Sequence, residues 1–513
     1  MPHHLQRYAI YTLIFLYSGS VLAGESLDPF VTEAMPLPEP VLSPVEGHVL
    51  SLSKRPALRH DGAVGDPCAE AMSNGALNRV PGQKLFDLLE VVDLALCNNP
   101  QTREKWANTR AQTAQVGVSK AGYFPGVSLN ASGNRTKTET APSVDRRGVG
   151  VTISYLLYDF GARAANLENA RQLLAAASAA QDSTVQTVFL AAVQAFYQTQ
   201  ATLAALDAAI ESERAAKQSF AAAEARYTAG SATPADKLQA QTAYSQATLN
   251  RITADGNLKI AQGTLANMLG LDADHNVSLA TSNTTAMPND FEGDINTLIE
   301  QARRRRPDLH AVAAQVKAAQ ASADAARAAG RPIISLAASA EQNNSAGINS
   351  HGTVVGINLN VPLFSGYAPT YRTRAAEAQT DARKAQLEQL RLQVSLDVWT
   401  AYQHLTTATQ SLRTTADLLN SAEQSERVVL GRYKAGVGSM LDVLNAQSVL
   451  AGARQQRIQS ALSWNISRAA LAQAMGSLDA SLLQTLPDAS SQKPGDSNRQ
   501  SGENPPQNNQ EQN

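Results

Sequence analysis

Hydrophobic positions follow two different periods along this chain. Phe189, Phe196, Leu203 and Ile210 fall seven apart, interleaved with Val185, Ala192, Thr199 and Leu206; Val398, Leu405, Leu412 and Leu419 repeat the spacing. Sustained heptads predict long helices in coiled-coil packing. Elsewhere the period is two. Val127, Leu129 and Ala131 alternate with Ser128, Asn130 and Ser132, and Val149, Val151, Ile153 and Tyr155 with Gly150, Thr152 and Ser154. Ile334, Leu336 and Ala338 alternate with Ser335 and Ser339, and Val355, Ile357, Leu359 and Val361 with Gly356, Asn358 and Asn360. These runs predict four strands with one apolar and one polar face.

The elements come in two copies. Arg226-Tyr227-Thr228-Ala229-Gly230 recurs 206 positions later as Arg432-Tyr433-Lys434-Ala435-Gly436, and Ala240-Gln241 as Ala446-Gln447. Upstream the offset is 207, pairing Pro100 with Pro307 and Pro125 with Pro332. Each copy reads helix, helix, strand, strand, very long helix, long helix. The first repeat spans residues 84–270, with strands at about 125–136 and 147–158. The second spans 294–476, with strands at about 333–343 and 352–363, after a linker over 271–293. The stretches 161–227, which is free of proline, and 366–433 are each roughly 100 Å long as helix, more than a compact domain needs.

Each strand is about the length of a membrane β-strand, roughly ten residues. The polar stretches around 135–147 and 342–352 predict long outer loops, while Tyr123, Phe124, Tyr158, Phe160, Phe364 and Tyr367 gather at the opposite end, where an interfacial belt would lie. A soluble half-buried sheet gives the same alternation. Four strands cannot close a barrel, and open edges are not tolerated in lipid, so membrane strands would need further copies of the chain.

The first 23 residues read as a signal peptide: Arg7, an apolar stretch, and Val21-Leu22-Ala23 at the cleavage site. Cys68, in the irregular segment 24–83, and Cys97 then read as a disulfide, with two unpaired thiols as the alternative. The charged fraction is 17%, the aromatic fraction 5% and the net charge −2, so nothing points to nucleic acid. The tail 477–513, rich in Ser, Asn, Gln and Pro, reads as disordered.

The duplicated order, Asn98-Asn99-Pro100, Gly122-Tyr123-Phe124-Pro125 entering a strand, Tyr158-Asp159-Phe160-Gly161 leaving one, and the repeated Arg-Tyr-x-Ala-Gly turns together resemble the TolC-like outer-membrane factor family. The resemblance implies an α+β membrane protein whose helix-helix-strand-strand-helix-helix unit forms, as a homotrimer, a 12-stranded β-barrel continued by a long α-helical coiled-coil tube. It implies as partners outer-membrane lipid, a periplasmic adaptor (membrane-fusion) protein and an inner-membrane ABC-type or other export pump. By the same resemblance the turns 227–236 and 433–442 form the periplasmic entrance. Tyr433 belongs to its gating network and Asp442, aided by Asp236, forms an acidic ring. Gly438 stands where an arginine can latch the gate, and Asn445 replaces a second acidic ring residue. Arg226, Tyr227, Gly230, Arg432 and Gly436 are the tips that receive the adaptor. Read from the residues alone, Asp442 equally caps a helix beginning near Met440, and Gly230 and Gly436 equally serve helix ends.

The remaining candidates carry no chemistry. Arg303 to Arg306 suit a helix C-terminus, the histidines lack metal-ligand spacing, and no phosphate loop or nucleophile motif appears, so neither cofactor nor enzymatic activity is expected. The expected function is the outer-membrane duct of a tripartite export system, with type I protein secretion ahead of small-molecule efflux. A periplasmic coiled-coil scaffold without a pore is the rival from another class.

Overall fold

The structure, a computed structural model, describes residues 86–139, 141–275, 277–279, 294–345 and 347–478, all within the larger of the chain's two units, Gly65–Asn513. The signal peptide, the segment 24–83 with Cys68, most of the 271–293 linker and the tail beyond Leu478 lie outside the described residues.

The elements run α1 (Leu88–Asn98), α2 (Pro100–Ala121), β1 (Gly126–Thr138), β2 (Ala141–Tyr158), α3 (Ala162–Thr228), α4 (Pro234–Met268), α5 (Ile295–Arg305), α6 (Pro307–Ala328), β3 (Ile333–Ser345), β4 (Ile348–Asn360), α7 (Ala368–Lys434) and α8 (Met440–Ala474). Local chemistry sets the helix ends. Pro100 and Pro234 occupy first turns behind the caps Asn99 and Thr233, as proline lacks only a donor that a first turn leaves unused. Pro307 begins α6 behind Arg306, which makes no side-chain cap and instead pairs with Asp308 at 2.6 Å and Asp397 of α7 at 2.8 Å. Burial disfavours the Arg306 charge, but these hydrogen bonds outweigh it and raise its pKa.

The long helices α3 and α7, 67 residues each, pack against α4 and α8 respectively, and α8 also packs against α3. Their heptads are buried where the short helices cover them. Phe189, Ala192 and Phe196 of α3 lie under Val91, Val92 and Ala95 of α1, and Val394, Val398 and Leu405 of α7 lie with Leu298 and Ala302 of α5. Farther down, α3 thins: Ile210 is 37% exposed.

The four strands form one antiparallel sheet in the order β1-β2-β3-β4, leaving β1 and β4 as unpaired edges. Register puts Val127, Ile153, Ala338 and Val355 in one row and Leu129, Val151, Ala340 and Thr353 in another. One face is thus apolar, and its Val127, Leu129, Val355, Ile357 and Leu359 are all more than 60% exposed. The other face carries Ser128, Asn130 and Ser132, then Thr152 and Ser154, then Ser339 and Asn358, with Leu156, Ile333, Ala337 and Val354 among its apolar members. Where long polar loops are expected, residues 135–138, 141–147, 342–345 and 348–352 are instead strand. β1 and β2 stay in register to Thr136↔Val144, and β3 and β4 to Ser345↔Ile348. Arg135 faces Asp145 across the ladder, Nε to Oδ1 at 3.6 Å. Backbone pairing does not require an apolar face, so the hairpins continue past the apolar band as polar ribbon.

Candidate functional site: the helix tips and the strand–helix junction

The two turns between long helices are built alike. Gly230 and Gly436 sit at φ +76° and +80°. In the first turn Gly230 N donates to Tyr227 O at 2.9 Å and Ser231 N to Arg226 O at 2.8 Å. In the second, Gly436 N donates to Tyr433 O and Val437 N to Arg432 O, both at 3.0 Å. Both turns are Schellman motifs, which the left-handed glycine makes possible. Each following helix opens with a capping box, Thr233 with Asp236 and Ser439 with Asp442.

The structure thus gives Asp442 the cap that its sequence position allowed. Asp442 N donates to Ser439 Oγ at 3.1 Å and Ser439 N to Asp442 Oδ2 at 3.3 Å. The carboxyl is exposed, and hydrogen bonds from Ser439, then the charge of Arg432, hold it below the ordinary carboxylate range. Asn445 is exposed one turn further on. Gly438 has a steric reason of its own: a Cβ there would meet Tyr433 N at 3.1 Å and Arg432 C at 3.3 Å.

Three contacts at these turns were not visible in sequence. Arg226 turns inward, its guanidinium 4.2 Å from the Tyr433 ring centroid and its Nη2 donating to Tyr433 O at 2.8 Å. Tyr433 is only 7% exposed, packed with Met440 and Val443. Gln447 Nε2 donates to Ser219 Oγ at 3.1 Å, and Lys237 pairs with Glu224 at 2.9 Å.

At the other end of α3 the chain turns from strand to helix through two left-handed residues, Phe160 at φ +52° and Gly161 at +97°. Asp159, 7% exposed, accepts from Arg163 N at 2.8 Å and from Arg163 Nε at 3.1 Å. Arg163 also donates to Leu156 O at 2.7 Å, Leu157 O at 3.2 Å and Gly122 O at 3.4 Å, and stacks 5.0 Å from the Tyr123 ring. This clamp binds β2, α2 and α3 together. Its 206-offset positions are Ser365 and Pro369, so the second junction, with Gly366 and Tyr367 left-handed, lacks it. The aromatics expected at this end are all there and exposed. Phe124 and Phe364 are the most so, at 71% and 78%, and Tyr158–Phe160 and Phe364–Tyr367 form edge-to-face pairs. Cys97 is disulfide-bonded; Cys68 lies outside the described residues.

A sheet apolar on one face and polar on the other, continued by helices roughly 100 Å long, defines the class: a subunit of an outer-membrane channel. The chain belongs to the Outer membrane efflux protein family, which it matches over residues 91–271 and 298–477. It is 32% identical to Protein CyaE of Bordetella pertussis over 83% of this chain and 93% of that protein. It is 27% identical to the Toluene efflux pump outer membrane protein TtgC of Pseudomonas putida, over 76% of this chain and 82% of that one. The fold matches the outer membrane protein VceC of Vibrio cholerae with TM-score 0.68 and 19% identity, over 76% of this chain and 97% of that one. The resemblance to TolC-like outer-membrane factors therefore holds. The protein is a channel component of a tripartite export system and not an enzyme, its strands in the outer membrane and its helices in the periplasm.

Proposed function

We propose that three copies close a 12-stranded barrel continued by a 12-helix tube, and that this duct exports protein in the manner of type I secretion. An inner-membrane ABC-type pump hands over the cargo through a periplasmic adaptor that docks on the tips. The observation that carries the assembly is the sheet itself. Its apolar face calls for lipid, while bare edges at β1 and β4 would leave backbone groups unsatisfied there. Protein cargo is supported by the entrance. Gly438 and Asn445 leave fewer latches and one acidic ring fewer, which suits a wide cargo of varied charge. Small-molecule efflux is the second reading, favoured by the toluene efflux relative. Deleting the gene separates the two. Loss of a polypeptide from the culture medium with unchanged drug and solvent tolerance is expected. Lowered tolerance with an unchanged set of secreted proteins would give the function to efflux.

In such a trimer three Asp442 carboxylates surround the entrance and favour cations. Asp442→Asn is expected to lower cation preference and weaken block by divalent cations in single-channel recordings. Identical selectivity and block in mutant and wild type would reduce Asp442 to its cap.

A further inference from the structure

Inside the chain, the two repeats meet at the tips through an apolar cluster, with Ala223 and Ala240 against Tyr433, Met440 and Val443, and through two polar pairs. Ser219 of α3 hydrogen-bonds to Gln447 of α8, and Arg226 of α3 covers and hydrogen-bonds to Tyr433 of α7. In each pair one partner belongs to the first repeat and the other to the second. Moving each residue by 206 positions into the other repeat gives Ser425 and Arg432 in the second, and Gln241 and Tyr227 in the first. All four residue types are kept. Yet within the chain this second set does not meet. Ser425, Arg432 and Gln241 are exposed, and Tyr227 is 41% exposed where Tyr433 is 7%.

In a ring of tandem repeats the first repeat meets the second within a chain, and the second meets the first repeat of the next chain. We propose that the second set is the contact between copies: Arg432 of one copy stacks on the partner's Tyr227, and Ser425 hydrogen-bonds to the partner's Gln241. The inference rests on the trimer reading and adds the residues that join its subunits at the entrance.

The entrance is then closed by six Arg–Tyr contacts, three within chains and three between them. Opening must break both kinds, so Arg226 and Arg432 act as equivalent positioning residues of the gate. The Arg226–Tyr433 contact holds the two hairpins of one chain; the Arg432–Tyr227 contact holds neighbours.

The test uses the full-length chain in outer membranes, carrying Ser425→Cys and Gln241→Cys, treated with a short bifunctional thiol reagent. Covalent dimers and trimers are expected on denaturing gels. Ser219→Cys with Gln447→Cys should cross-link only within the monomer, and the unaltered chain serves as the blank. A protein that is trimeric by mass in mild detergent but gives only monomer from the 425/241 pair would overturn this contact. A protein that is not trimeric would sink the assembly itself. As a second readout, Arg432→Ala and Arg226→Ala are each expected to raise closed-channel conductance several-fold. An effect of Arg226→Ala alone would show that the contact between copies is absent.

Discussion

Arg163→Met is expected to destabilise the protein by about 3–5 kcal/mol, the usual cost of removing one partner of a buried ion pair. The Arg163 and Asp159 side chains are only 16% and 10% exposed. The substitution leaves a carboxylate without its cation and strips the donor from the carbonyls of Leu156, Leu157 and Gly122. Lysine restores the charge but cannot reach all four acceptors in one plane, so Arg163→Lys should recover only part of the loss. The temperature at which the detergent-solubilised oligomer dissociates reads the effect, with Arg171→Ala as control. Arg171 pairs with Glu168 at 3.8 Å on the surface, and its loss should stay within about 1 kcal/mol. The damage should also be local. Amide exchange is expected to rise at 157–165 and not at 363–371, where Ser365 and Pro369 stand in place of the clamp. Equal exchange at both junctions would show that the clamp does not hold the first one.

The second large effect belongs to two glycines far from the membrane. Gly270→Ala and Gly476→Ala are each expected to cost about 2–5 kcal/mol, against about 1–2 kcal/mol for Gly230→Ala. All three sit at positive φ, which penalises a Cβ. The difference is space. A Cβ on Gly270 would lie 2.9 Å from Asn98 O, and one on Gly476 would lie 2.9 Å from Arg306 N; around Gly230 nothing lies within 4 Å. In both repeats the last long helix therefore ends with its glycine pressed against the backbone that joins the two short helices. Backbone cannot rotate away as a side chain can. Thermal dissociation of the three variants gives the ranking, and equal losses would mean that the close approach relaxes at little cost.

Much of this fold could be read along the chain because its signals are local. Heptads gave α3 and α7, prolines gave the starts of α2, α4 and α6, and the Arg-Tyr-x-Ala-Gly turns gave the tips within a residue or two. The hairpin ends were misread for a physical reason. Beyond Gly133, polar residues occupy both faces, so alternation vanishes although the ladder continues through Arg135↔Asp145. The clamp was hidden because three of the acceptors of Arg163 are main-chain carbonyls, which leave no mark in sequence. The Arg226–Tyr433 contact was hidden by distance, its partners being 207 positions apart. Asp442 shows the remaining gap. Its capping box is local and could be anticipated, whereas a place on the pore wall depends on neighbours that only the assembly supplies.

That assembly is tested most directly by the mass of the purified full-length protein in mild detergent. Bare edges on β1 and β4, an apolar face open to solvent and an unmatched second set of tip residues all require further copies of the chain. A trimer of the 54.4 kDa chain is expected at all working concentrations. A monodisperse monomer that keeps its strands would contradict the barrel, the tube and the contacts between copies together.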